Sequence, residues 1–228
     1  AAGSDHSSRR PAASSRRDVP QETKAMTTRE DHWNTIYRTK PADRVSWYQA
    51  DVSTSLDLVR ACGLPPGAPL LDVGAGASLL VDGLLGAGFT DVTLLDLASE
   101  ALAVTRARLG DEPRVREVVA DVAAWSPTRT YALWHDRAVF HFLVEPEARA
   151  GYLRALGAAL APGAHAIVGT FALDGPERCS DLPVRRYSAE GLAEELAPVL
   201  EHVESRHLLH TTPWGSSQSF VFGRFRAR

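Results

Sequence analysis

Cysteine and methionine are almost missing from this chain of 228 residues, which has only Cys62, Cys179 and Met26. Two distant cysteines with no Cys-x-x-Cys pair exclude a disulfide framework and a structural zinc site. They fit ordinary reduced thiols. No apolar run approaches the roughly 18 residues that a membrane span needs, and no signal-peptide core stands near the start. A large charge excess is missing too. A formal net charge of −3 gives no general attraction to nucleic acid or to an anionic membrane. The expectation is a soluble, cytoplasmic protein with no resident metal, no membrane partner and no nucleic-acid partner.

Large apolar residues are scarce in residues 1–25, which are rich in Ser, Ala, Arg and Pro and cannot add to a core. We read them as a disordered expression leader or upstream read-through, with Met26 as the natural start. An Arg/Ser-rich organellar presequence is the competing reading, and Asp5, Asp18 and Glu22 count against it. The remaining length, with 44% hydrophobic and 23% charged residues over the whole chain, suits one domain with one core. That domain is 26–228, divided into lid helices over 26–66 and an α/β core over 67–228.

From residue 29 helical and strand patterns alternate. Helices are expected at 29–38 and 51–62, the second stopped by Gly63-Leu64-Pro65-Pro66-Gly67. Strands follow at 69–73, 91–95, 114–119, 130–135 and 164–170. Helices at about 77–87, 99–109, 122–125 and 146–160 separate them. The alternation implies a Rossmann-like, mostly parallel sheet with helices on both faces and ligand sites at the carboxyl ends of its strands. A helix at 188–197, with Ser188 as its N-cap, leads to runs at 199–209 and 217–226. These form a C-terminal antiparallel hairpin around Thr211–Ser216.

The most informative stretch is Leu70-Leu71-Asp72-Val73-Gly74-Ala75-Gly76-Ala77-Ser78. It reads as a buried strand and a turn whose glycines let backbone N–H groups approach a ligand, with a helix aimed at that point. Asp96 closes the next apolar run, placed to accept hydrogen bonds from ribose hydroxyls. Nicotinamide redox and methyl transfer both use this frame. A dinucleotide turn needs a small residue at position 79, where Leu79 stands, and Asp72 would face a diphosphate unfavourably.

The pattern hydrophobic-hydrophobic-Asp-x-Gly-x-Gly resembles the first motif of class I S-adenosylmethionine-dependent methyltransferases, with Ser78 in place of a third glycine. The resemblance covers about residues 69 to 145 and implies S-adenosylmethionine as cofactor. It assigns Asp72, Gly74 and Gly76 to the cofactor's amino-acid end, Asp96 to its ribose, and Asp121 with Val122 to its adenine, with Leu97 as a further cofactor contact. A seven-stranded sheet ending in an antiparallel hairpin is also implied. A solvated strand-end carboxylate is the alternative for Asp121.

Chemistry is expected at the tip of the fourth strand, in Trp134-His135-Asp136-Arg137-Ala138-Val139-Phe140-His141. His135, Asp136 or His141 is suited to guide a proton from an amine or hydroxyl acceptor. A thiol or selenol acceptor needs less help. Arg137 either holds an acidic acceptor or pairs with Asp136, and His141 is as well read as a packed core residue. The Asp-Arg-Ala element resembles stretches in thiopurine S-methyltransferases and in elongation-factor lysine methyltransferases. Upstream, Trp33, Tyr37, Trp47 and Tyr48 look like a lid over the cofactor, similar to the opening of thiopurine and tellurite-resistance methyltransferases. Simple anchoring of two helices is the plainer account. The loop 171–184 is placed to set acceptor choice, whereas His207, His210 and Trp214 read as ordinary hairpin residues.

The resulting expectation is methyl transfer to the S, Se, O or N of a small molecule. Protein lysine N-methylation is the alternative, and an NAD(P)-dependent oxidoreductase a more remote one. The sequence leaves monomer and dimer open.

Overall fold

The computed structural model describes residues 28–228. The leader and the start at Met26 lie outside the described residues. Helix α1 spans Arg29–Thr39, and its first turn is fixed by a reciprocal cap. Thr28 Oγ1 accepts the Asp31 N–H at 3.1 Å while Asp31 Oδ2 accepts the Thr28 N–H at 3.3 Å. Helix α2 spans Ser53–Arg60, with Ser55, Leu58 and Val59 as its buried stripe.

The sheet strands are β1 (Leu70–Val73), β2 (Val92–Asp96), β3 (Val115–Val119), β4 (Tyr131–Arg137) and β5 (Leu160–Phe171). Between them run α3 (Leu80–Gly86), α4 (Ser99–Leu109) and α5 (Pro146–Ala159). After β5 come a small hairpin of β6 (Arg178–Cys179) and β7 (Leu182–Pro183), helix α6 (Ala189–Leu196), and strands β8 (Leu200–Thr211) and β9 (Ser217–Ala227). The seven-stranded sheet has the order β3-β2-β1-β4-β5-β9-β8. The strands from β3 to β5 pair in parallel, while β9 is antiparallel to both β5 and β8. The Rossmann-like sheet with a terminal hairpin is therefore as the sequence implies.

Four local expectations change. Helix α3 starts at Leu80, not near Ala77, and Ser78 is not its N-cap residue, although Ser78 Oγ accepts the Leu80 N–H at 3.1 Å. No helix forms at 122–125. There Asp121 Oδ1 takes the Ala123 N–H at 2.9 Å, closing a turn in competition with helical bonding. Strand β4 runs two residues further than expected, to Arg137, and the loop after β5 contains the β6–β7 hairpin. Among the described residues no helix is long and apolar enough to cross a membrane.

Both faces of the sheet are packed. On one, Trp134, Phe140, Tyr152, Leu156 and Leu192 form a buried cluster. On the other, Leu58, Val59, Leu80, Leu84 and Leu133 form a second. Side chains alternate along a strand, so Leu133 and Trp134 of β4 enter opposite clusters. Gly151 brings α5 against the turn after β3. A methyl group there would lie 1.9 Å from the Ala123 carbonyl oxygen. Gly151→Ala must push this turn, and Asp121 with it, away from the sheet. We expect a stability loss of about 1–3 kcal/mol, read as a lower midpoint in thermal or denaturant unfolding.

Candidate active site

The strand tips on one edge of the sheet open into a cavity of about 1200 Å³, counted to its open mouth. Its walls follow the strand order: Asp121 and Val122 after β3, Asp96 and Leu97 at β2, Gly74 after β1, and Arg137 at the end of β4. Trp33, Tyr37, Trp47 and Tyr48 cover it. Nine of the ten residues expected around the cofactor therefore lie on one surface. The tenth, Gly76, stands just behind it, donating its N–H to Asp96 Oδ2 at 2.9 Å.

The glycines are there for close approach. Gly74 has φ +66°, and a methyl group on it would meet Val139 Cγ2 at 2.0 Å. Gly76 has φ +53°, and a methyl there would come within 2.6 Å of the Tyr37 hydroxyl. A side chain at either position would be strained and would also fill the cradle.

Asp96 is buried and takes two backbone N–H bonds, from Gly76 on Oδ2 and from Ala98 on Oδ1 at 2.8 Å. Each carboxylate oxygen keeps acceptor capacity for a ligand hydroxyl. Burial raises its pKa to about 6, against the pull of those bonds. A vicinal diol bound there would supply the donors that a buried carboxylate lacks. The site thus fits a nucleoside.

Beneath the turn runs a buried polar chain. His135 Nδ1 lies 2.7 Å from Asp72 Oδ1, and its Nε2 lies 2.9 Å from Ser55 Oγ. The imidazole is thus held at both ring nitrogens, by Asp72 on one side and Ser55 on the other. The chain ties β1, β4 and α2 at one point. Ser55 was not anticipated. Its signal was a hydroxyl on the apolar stripe of α2, three and four residues before Leu58 and Val59.

The four expected chemical residues separate. His135 and Arg137 line the cavity, whereas Asp136 and His141 do not. Strand alternation turns Asp136 to the opposite face, where it accepts the Tyr152 hydroxyl at 2.7 Å and the Val139 and Phe140 N–H groups at 2.9 and 3.1 Å. Burial raises its pKa to about 6. His141 is fully buried, its Nδ1 accepting the Phe171 N–H at 3.3 Å, and burial lowers its pKa to about 3. It is a packed neutral ring between Phe142 and Phe171.

The aromatic cover is interlocked. The Trp33 ring lies 5.4 Å from Trp47 and 5.2 Å from Phe142, both edge-on. Trp47 Nε1 donates to the Tyr37 hydroxyl at 3.2 Å. Asn34 Oδ1, on the same helix, accepts the Glu100 N–H at 3.1 Å and so docks α1 on the start of α4. The turn that follows Arg137 carries Ala138 at φ +72°, where a residue with a Cβ is strained.

Residues 70–163 match the family model described as a methyltransferase domain. Over this stretch, less than half of its length, the chain is similar to methyltransferase domains. No curated protein sequence matches it. Among solved structures, 1,6-didemethyltoxoflavin-N1-methyltransferase from Burkholderia thailandensis, with its substrate and S-adenosylhomocysteine bound, is 25% identical. That match has a TM-score of 0.62 over 84% of this chain and 80% of the other. The N-methyltransferase NodS from Bradyrhizobium japonicum, in complex with S-adenosylhomocysteine, shares 16% identity with a TM-score of 0.66 over 86% and 99%. A protein solved in work on the conversion of a disulfide bond into a thioacetal group during echinomycin biosynthesis is 24% identical. Its TM-score is 0.68 over 87% and 92%.

The place of Asp136 can be tested away from the cavity. The Tyr152 hydroxyl donates to Asp136 and accepts Trp134 Nε1–H at 2.8 Å, all within the core. Tyr152→Phe is expected to cost about 2–3 kcal/mol in chemical denaturation, since it strips two buried hydrogen bonds. Affinity for S-adenosylhomocysteine should stay within about twofold, because neither bond reaches the cavity.

Proposed function

We propose that this protein transfers the methyl group of S-adenosylmethionine to the S, Se, O or N of a small molecule held between the turn after β4 and the aromatic cover. The observation that carries the reading is the series of residues along one wall, Asp121, Asp96, Gly74 and Arg137, with the buried carboxyl of Asp96 at its centre. From β3 to β1 the tips step across about 10 Å, enough for an extended adenosine with its amino-acid tail. Asp121 takes the adenine amino group, Val122 and Leu97 flank the ring, and Asp96 accepts the ribose hydroxyls. The Gly74–Gly76 turn and Asp72 hold the amino-acid end.

When bound, S-adenosylmethionine supplies a methyl on a cationic sulfur that a lone pair displaces in line, releasing S-adenosylhomocysteine. The protein's part is to aim that lone pair and exclude water. Trp33, Tyr37 and Trp47 close over the donor, and the aromatic faces favour a cation. His135, fixed at both nitrogens, orients Asp72 and is not free to swing. The 1,6-didemethyltoxoflavin bound in the Burkholderia enzyme supports a small acceptor. Lysine as acceptor is disfavoured by the guanidinium of Arg137 in the wall, since like charges repel in a low-dielectric cavity.

Calorimetric titration should show binding of S-adenosylhomocysteine and none of NAD. The reverse result sinks the proposal. A labelled methyl donor offered with thiols, selenols, phenols, amines and a cell lysate should label small molecules. Label confined to a protein band would instead favour the lysine reading.

The carboxyl of Asp96 sets a pH dependence. Ribose hydroxyls donate to its ionised form, so affinity for S-adenosylhomocysteine should be level above pH 6. Below about 6 it should fall by about tenfold per unit as the group protonates. Asp96→Asn should bind about 2 kcal/mol more weakly and lose this dependence, as read by calorimetry across the range.

A further inference from the structure

Arg137 is charged, half-buried in the cavity wall and largely unpartnered. Its Nη1 donates to the Trp47 carbonyl at 2.9 Å, but Nε and Nη2 have no hydrogen-bond partner among the described residues, and a ligand reaches them once the side chains that cover them shift. Its Cζ sits 5.0 Å from the centre of the Phe220 ring. The two carboxylates nearest in sequence and space are both engaged elsewhere. Asp136 faces the other side of the sheet with three donors of its own, and Asp72 is bound to His135. Burial lowers the guanidinium pKa only to about 10, so it is a full cation at neutral pH. Asp72 attracts the guanidinium across the cavity wall, but among the described residues no acid pairs with it directly, and a desolvated cation with unpaired donors calls for a partner that the fold itself does not provide.

The free donors also have a shape. Nε–H and the adjacent Nη2–H form the side-on edge of the guanidinium, two parallel donors spaced to receive both oxygens of one carboxylate. The bond to Trp47 consumes only Nη1 and fixes the plane of that fork. Arg137 also lies one strand beyond β1, on the side away from Asp96 and Asp121. A nucleoside donor laid along β3, β2 and β1 reaches this end with its reactive sulfur, which makes it the acceptor's side.

We propose that the methyl acceptor of this protein is a small carboxylic acid whose carboxylate is gripped side-on by Nε and Nη2 of Arg137. The inference rests on the methyltransferase reading of the cavity. The carboxylate is the handle and not the nucleophile, because pairing with the cation draws electron density from both oxygens and fixes them away from the donor. A separate thiol, hydroxyl or amine on the same molecule then faces the donor. Cys179 and Phe142 complete this end of the wall, and burial raises the Cys179 thiol to about 11, so it stays neutral and does not compete as an anion for Arg137.

The test uses the whole protein saturated with S-adenosylhomocysteine. Benzoate and benzamide are titrated as probes of equal shape, followed by the fluorescence of Trp33 and Trp47 in the cavity wall. Benzoate should bind about tenfold or more tightly than benzamide. Arg137→Met should abolish that difference and Arg137→Lys should restore part of it, with S-adenosylhomocysteine affinity unchanged within about twofold in both. Equal binding of the two probes to the wild type, or binding of neither, overturns the inference. So does loss of S-adenosylhomocysteine binding in Arg137→Met, which would give the guanidinium to the cofactor's own carboxylate. If the wild type does not bind S-adenosylhomocysteine at all, the functional reading falls first and this inference with it.

Discussion

Strand β1 has β2 on one side and β4 on the other, both parallel to it. The chain therefore crosses over one way to build β2 and β3, then returns to build β4 and β5 beyond β1. The connections leaving these strand tips diverge, and a crevice opens that no backbone fills. The Gly74–Gly76 turn, Asp96 and Arg137 border that crevice because they end, or directly follow, the strands on either side of the reversal. Helices α1 and α2 precede the sheet in sequence and are free to roof it.

What keeps roof and floor in register is polar. The Asp72–His135–Ser55 chain fastens α2 to the tips of β1 and β4, and Asn34 fastens α1 to the first turn of α4. Buried hydrogen bonds of this kind add modest net stability but penalise any arrangement that leaves one member unpaired. The apolar clusters supply most of the driving force for folding, and these contacts select the one docking that leaves the cavity shaped. Arg137 is the exception, a half-buried group whose pairing the folded chain leaves incomplete.

Much of the architecture was legible because parallel strands buried on both faces leave continuous apolar runs and because the acidic strand ends recur at fixed places. Asp72, Asp96 and Asp121 each terminate or follow such a run, so this wall of the cavity could be located from spacing. The fourth strand was less transparent. With its end read at 135, Asp136 and Arg137 looked alike as tip residues, and His141 read equally as a proton guide or a packed core ring. Two more residues of strand impose alternation, which sends Asp136 into the core while keeping Arg137 in the cavity. Ser55 escaped notice because its role depends on a histidine 80 positions away. The short helix expected at 122–125 lost to a side chain, since the Asp121 carboxylate offers the next N–H groups a closer acceptor than a helical carbonyl.

Strand β9 is the last strand in sequence and yet an inner strand of the sheet, hydrogen-bonded to β5 on one edge and β8 on the other. During synthesis β8 has no place to dock until Ser217–Ala227 has left the ribosome, because its neighbour in the sheet does not yet exist. Until then β5 presents a bare edge. The nascent chain carries that exposed edge while the residues between β5 and β9 are added, so the order of strands sets a moment in biosynthesis at which this protein is most exposed to pairing with the wrong partner.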